Sequence, residues 1–188
     1  GGGLAGLGLG TVLARKGVGV NLLEAGSYPR HRVCGEFICG RGTAALGSLG
    51  LGESLRGAAR HREVLWNGSG GRTFRHRLPE PAAGISRYRL DQVLADAFVD
   101  AGGKLRQKNR FRGKAGEGIV FCSGRAATKT DWMGLKLHCT AMATESDLEM
   151  HLGRNLYLGL SGVEDGRVNV CALVRRVPEL QAPREDLL

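Results

Sequence analysis

The chain has 188 residues, 42% of them hydrophobic and 24% charged, with a formal net charge of +9. That length holds one ordinary domain or parts of two, and the composition is globular, which excludes a disordered chain. No run approaches the roughly 18 apolar residues of a membrane-spanning helix. The cysteines, Cys34, Cys39, Cys122, Cys139 and Cys171, lack the C-x-x-C spacing of a zinc site or a disulfide framework; they read as reduced thiols of a cytoplasmic protein.

The first 24 residues read GGGLAGLGLGTVLARKGVGVNLLE. Gly1, Gly3 and Gly6 stand in G-x-G-x-x-G spacing, and the apolar residues from Leu4 to Ala14 recur at helical intervals. Lys16-Gly17 stops that helix. Val18, Val20, Leu22 and Leu23 read as a buried strand, with Glu24 at its end. This is the dinucleotide fingerprint in its proper setting. The first glycine permits a tight turn, the second lets a pyrophosphate approach the backbone, and the third lets helix and strand pack. The terminal acid accepts from a ribose hydroxyl, and uncapped N–H groups at the helix start supply the anion site. Such a fingerprint ordinarily follows a strand. Here it starts at residue 1, so the expected fold is α/β, a Rossmann-like three-layer part lacking its first strand. Glu24 suits NAD(P) as well as FAD.

Residues 25–40, AGSYPRHRVCGEFICG, read as a loop. A strand-end glutamate followed by P-R-H-R-V-C-G-E-F resembles the flavoprotein monooxygenase superfamily, and most closely its geranylgeranyl-reductase-like FAD-dependent oxidoreductases. The resemblance implies that Cys34, Gly35 and Glu36 lie beside the isoalloxazine ring, that Glu24 binds the adenosine ribose, and that Arg30 or Arg32 lies along the cofactor. A plain loop cysteine is the alternative for Cys34, since no base neighbours it.

Residues 41–50 read as a short helix that residues 51–61 extend, and Glu63–Trp66 and Thr73–Leu78 as a hairpin closed by Asn67-Gly68 and Ser69-Gly70-Gly71. Pro79 and Pro81 predict a loop. Residues 86–102 are the clearest helix, with Leu90, Val93, Leu94, Ala97, Phe98 and Ala101 on one face. Its R-x-x-L-D opening again resembles the flavoproteins, where the arginine at the position of Arg87 contacts the cofactor. A cation near a helix N-terminus also implies an anionic neighbour.

Lys104, Arg106, Lys108, Arg110, Arg112 and Lys114 occupy alternate positions, so an extended chain would carry them on one face. A solvated face is the plainest reading, and the nearby Phe111 offers too little stacking for nucleic acid. Gly118–Gly124 reads as a short buried strand. In the family such a strand ends beside FAD, so Ser123, Gly124 and Arg125 correspond to that turn. Residues 132–138, W-x-G-L-K-x-H, resemble the start of the family's substrate sheet. Residues 147–152 and 155–160 alternate like strands, and Asp165-Gly166 marks a hairpin. His138 and His151 are the acid–base candidates, but no paired carboxylate sits at a telling spacing, so each reads as an ordinary sheet residue.

These readings place an FAD-binding part at 1–60 and 84–128, an antiparallel substrate sheet at 61–83 and 129–176, and a loose tail at 177–188. The expected function is an FAD-dependent oxidoreductase, reductase or monooxygenase, acting on a small apolar organic molecule. The expected cofactor residues are Gly1, Gly3, Gly6, Glu24, Arg32, Cys34, Gly35, Glu36, Arg87 and Gly124; no metal and no nucleic acid are expected. Self-association through the incomplete sheet and peripheral membrane contact are further expectations. The alternatives are an NAD(P)-dependent Rossmann dehydrogenase and a non-enzymatic basic protein that binds nucleic acid or a membrane surface.

Overall fold

The computed structural model describes residues 1–125 and 129–176. Its elements in chain order are α1 (Leu4–Arg15), β1 (Asn21–Leu23), β2 (Phe37–Ile38), α2 (Gly40–Ser48), a 3-10 turn (Gly52–Leu55), β3 (Ala59–Asn67), β4 (Thr73–Gly84), α3 (Arg87–Asp100), β5 (Lys104–Arg106), β6 (Trp132–Cys139), β7 (Leu148–Leu152), β8 (Leu156–Gly162) and β9 (Val168–Arg175). The expected tail, 177–188, lies outside the described residues. They form two compact units. One holds residues 1–32, 41–56 and those from 85 to 125; the other holds 33–40, 57–84 and those from 129 onward. Among the described residues no helix is long and apolar enough to cross a membrane.

In the first unit α1 packs on α3. Phe98 of α3 is fully buried, and it fits because two glycines give way to it. A Cβ at Gly10 would stand 2.8 Å from the Phe98 ring, and one at Gly103 would overlap it. Leu90 and Leu94 stand on the same face of α3 at four-residue spacing and are buried with it. Ser86 caps the helix, its hydroxyl accepting from the Arg89 N–H at 3.0 Å. Strands β1 and β5 pair in parallel, Leu22 opposite Leu105.

Several expectations fail here for identifiable reasons. Val18 is exposed and outside the strand. Only residues 104–106 of the basic run are extended. Lys108 then takes a left-handed conformation, φ 54°, and its N–H is held by the Gly26 carbonyl, so the alternation breaks after one turn. Residues 118–124 form no strand, and Ile119, Val120 and Phe121 are exposed. A strand needs a ladder partner, and among the described residues β1 pairs with β5 alone.

The second unit is a seven-stranded sheet in the order β2-β4-β3-β7-β8-β9-β6. It is mixed where an antiparallel sheet was expected, because β3 and β7 pair in parallel. β3 begins at Ala59, inside the residues read as a helix extension. β4 runs on through Pro79 and Pro81. The prolines survive in a strand because the β3–β4 register breaks there: His61 pairs with Ala82 and Glu63 with Arg77, which frees the residues between from the ladder. The β8–β9 turn uses Asp165 and Gly166, both with positive φ.

Phe98 supplies the check on the first unit. Phe98→Ala removes a fully buried ring that two glycines accommodate and is expected to cost about 3–5 kcal/mol of stability in denaturant unfolding.

Candidate functional site

The opening glycines have four distinct environments. A Cβ at Gly1 would overlap the Cys122 carbonyl, and one at Gly6 would overlap the Gly1 carbonyl, so both are closed by backbone packing. At Gly2 a Cβ would overlap the Tyr28 hydroxyl. Gly3 alone of the four has nothing within 4 Å of where its Cβ would stand. Gly3 is also the N-cap of α1 and brings no capping side chain. The result is an uncapped N-terminus of a three-turn helix, fronted by bare backbone with space before it. That is the environment a phosphate group requires.

Glu24 holds the loop in this shape. Its carboxylate is buried and accepts the Gly2 N–H at 2.8 Å, the Gly26 N–H at 2.7 Å and Arg30 Nη1 at 2.5 Å. The Tyr28 hydroxyl donates to the Gly2 carbonyl, so Gly2 is gripped at both backbone groups. Burial alone would raise the Glu24 pKa. The Arg30 bond and the two backbone donors outweigh that and hold it at about 2, against 4.5 ordinarily. Burial and the Glu24 charge push the Tyr28 hydroxyl up, so it stays a donor. Sequence analysis gives Glu24 a ribose; in the structure its bonded partners are the loop and Arg30. Gly2, Tyr28 and Arg30 are members of the site that the fingerprint spacing does not mark.

Arg87 and Arg32 meet at Asp91. Arg87 makes a bidentate pair with the fully buried Asp91 carboxylate at 2.8 and 3.0 Å, and Arg32 Nε approaches it at 3.5 Å. The anion implied beside Arg87 is therefore four residues along its own helix. Two arginines on one carboxylate leave one positive charge in excess, and Arg32 is the more exposed of the two. His31 stacks on Tyr88 beside them, ring centroids 4.8 Å apart. Gly124 has φ 78° and follows the Cys122–Ser123 backbone that Gly1 abuts. A groove of about 570 Å³ runs beside β1 past Gly1 and Gly6, with Leu9, Leu13 and Phe121 in its walls.

Cys34, Gly35 and Glu36 belong to the second unit, where they cross one face of β6 and β9. The β6–β9 register sets Gly134 opposite Leu173, Lys136 opposite Cys171 and His138 opposite Asn169. Val33 lies over Gly134, where a Cβ would come within 2.9 Å of it. Asn169 donates to the Cys34 carbonyl at 3.0 Å, and the Cys171 thiol also bonds the Cys34 backbone. Burial, with Cys34 adding to it, pushes the Cys171 thiol up.

Glu36 is fully buried, its backbone in the left-handed region at φ 53°. Its carboxylate accepts from Lys136 Nζ on one oxygen and meets His138 Nε2 at 2.6 Å on the other. The expectation of an unpaired His138 is thus corrected: its carboxylate comes from 102 residues away in sequence. His151 also has one, Glu149 at 3.0 Å. The signal for the first pairing was present in W-x-G-L-K-x-H, whose period of two puts Gly134, Lys136 and His138 on one face of a strand. Nothing in the sequence said that Glu36 would lie on that face. No group of three His, Cys, Asp or Glu able to hold a metal exists among the described residues.

An uncapped glycine-fronted helix start, locked by a strand-end carboxylate and accompanied by an arginine pair, defines a dinucleotide-binding protein of the Rossmann-like class. The chain belongs to the FAD-binding-domain family, whose model matches residues 1–121. FAD is accordingly the cofactor, and the open Gly3 backbone is the feature here that fits its diphosphate. The chain is 29% identical, over 147 residues, to a menaquinone reductase of Mycobacterium tuberculosis, which covers 76% of this chain and 35% of that protein. It therefore spans about a third of that relative's length. In fold it is similar to the halogenase PltM, with a TM-score of 0.76 at 13% identity, over 100% of this chain and 53% of that one. It is also similar to p-nitrophenol 4-monooxygenase PnpA of Pseudomonas putida, with a TM-score of 0.73 at 14% identity, over 100% and 58%.

The depressed Glu24 pKa gives the lock a pH dependence. A carboxyl whose folded pKa lies below its unfolded value stabilises fully above about 4.5, and that contribution is lost as pH falls through about 2. Acidification across that window is expected to remove at most about 3 kcal/mol. Glu24→Gln should be less stable at neutral pH and should lack this part of the acid dependence in pH-resolved thermal melts.

Proposed function

We propose that this chain is the cofactor-binding and substrate-sheet portion of an FAD-dependent reductase acting on an apolar, prenylated substrate of the quinone or isoprenoid type. The observation that carries the cofactor half of the reading is the open backbone at Gly3 in front of an uncapped helix, with Glu24 committed to holding that loop. Two findings support the substrate half. The Mycobacterium relative is named as a reductase of menaquinone. The P-R-H-R-V-C-G-E-F run and the W-x-G-L-K-x-H strand resemble the geranylgeranyl-reductase-like branch, and the structure joins them through Glu36, Lys136 and His138.

In this reading the α1 N-terminus receives the FAD diphosphate, and the excess charge at Arg32 and Arg87 favours its anion. When bound, FAD supplies the hydride chemistry. The protein's part is to bind and orient it, which a loop gripped at Gly2 and an arginine pair gripped by Asp91 do without rearrangement.

Purified chain incubated with FAD should retain it through gel filtration, with visible flavin absorbance and quenched flavin fluorescence. Gly3→Val is the decisive variant. Its side chain enters open space, so the fold and melting temperature should hold while FAD affinity falls at least tenfold. Wild-type protein that retains NAD(P) in place of FAD, or a Gly3→Val chain that binds FAD as the wild type does, would refute the assignment.

A further inference from the structure

The first unit carries the whole of the chain's net charge of +9. Fifteen lysines and arginines stand there against six aspartates and glutamates, while the two signs balance in the second unit. Three of those acids are already committed: Glu24 to Arg30, Glu53 to Arg56, and Asp91 to Arg87 and Arg32. The excess gathers from β5 onward. Residues 104–121 hold Lys104, Arg106, Lys108, Arg110, Arg112 and Lys114 against Glu117 alone. All of these cations are exposed, and none makes an ion pair among the described residues.

The same stretch exposes apolar side chains. Phe111, Ile119, Val120 and Phe121 are 41%, 42%, 62% and 55% exposed. The two rings meet edge to face, centroids 5.7 Å apart, which draws the ends of the loop together and buries neither ring. The loop is anchored on both sides of this pair. Before it, the Lys108 and Asn109 N–H groups donate to the Gly26 and Glu24 carbonyls; after it, the Cys122 carbonyl packs against Gly1. Between the anchors the four apolar residues line the groove beside β1 together with the exposed Leu9, and Arg106 lines it with them. Cations and apolar side chains thus share one surface, and an exposed apolar patch of this kind marks an interaction site.

The cations alone would suit any polyanion, and the apolar residues choose among them. Nucleic acid needs ring faces free for stacking. Phe111 instead lies over Gly113, where a Cβ would come within 2.5 Å of its ring, and Ile119 and Val120 have no ring to offer. Hydrocarbon accepts all four apolar side chains, and a layer of anionic headgroups accepts the cations.

We propose that residues 104–121 form a docking surface for an anionic bilayer. The cations lie among the headgroups, and Phe111, Ile119, Val120 and Phe121 enter the acyl boundary beneath them. The inference goes beyond the reductase reading and does not depend on it, although it brings the chain to the phase in which an apolar, prenylated molecule dissolves. Each cation near such a surface strengthens binding about fivefold, and the attraction fades beyond a Debye length. Binding is therefore steep in salt, with an apolar remainder that salt does not remove.

The test is co-sedimentation of the full chain with vesicles of phosphatidylcholine, with and without phosphatidylglycerol, over a range of salt. The wild type should bind the anionic vesicles at least tenfold more tightly than the neutral ones and weaken as salt rises. Arg110→Gln, Arg112→Gln and Lys114→Gln together should lower the affinity for anionic vesicles roughly 10²-fold, with melting temperature and FAD retention unchanged. Ile119→Ser with Val120→Ser should remove the binding that persists at high salt. Equal binding to both kinds of vesicle, or binding to neither, overturns the proposal without recourse to a variant. A triple glutamine variant that binds as the wild type does overturns it as well. A wild-type chain that retains a single-stranded oligonucleotide and ignores anionic vesicles overturns it in favour of nucleic acid.

Discussion

A carboxylate at the end of a three-residue strand holds the opening loop in place. Glu24 gathers the N–H groups of Gly2 and Gly26 and the Arg30 guanidinium onto two oxygens in a buried position. Without that anchor Gly1, Gly2 and Gly3 would be the most conformationally free stretch a chain can have. With it, the α1 N-terminus is left open in front of Gly3 and closed everywhere else. The loop after β5 reinforces the arrangement, since Asn109 and Lys108 donate to the carbonyls of Glu24 and Gly26.

Three of the buried carboxylates, Glu24, Asp91 and Glu36, differ in their partners, and the partners decide what each can do. Glu24 is dressed by an arginine and backbone donors, none of which changes charge near neutral pH, so it is a structural lock. Asp91 takes a bidentate arginine and approaches a second, and so holds two cations together on one buried carboxylate. Glu36 is paired with a lysine and a histidine two positions apart on one strand, and so ties its loop to the sheet. The same side-chain chemistry thus yields a clasp, an organiser of cations and a tie between loop and sheet.

Close backbone approach is the other recurring device. Gly10 and Gly103 admit Phe98 between α1 and α3, Gly134 admits Val33 over β6, and Gly6 admits the Gly1 carbonyl. Each is a place where one additional methyl group would push apart two elements that must touch. This accounts for part of a glycine content that composition alone would assign to loops.

Local signals foretold a good deal of this. The helical spacing from Leu4 to Ala14, the amphipathic helix that follows Ser86, and the turn residues at Asn67-Gly68 and Asp165-Gly166 each act within a few residues of themselves, and they appear in the structure as read. The strand at 118–124 did not form, because an apolar run becomes a strand only if another strand lies beside it. The continuation of β4 through two prolines depended on a register break that only its partner strand could supply.

What the amino-acid order determined by itself was the glycine-fronted helix and the acid after β1, since both follow from backbone freedom and short-range periodicity. What tertiary structure alone decided was who meets whom across a hundred residues: Glu36 with Lys136 and His138, and Asn169 with the Cys34 carbonyl. Those meetings are set by sheet register and by the path of a loop over it, and neither is encoded in the spacing of the residues concerned.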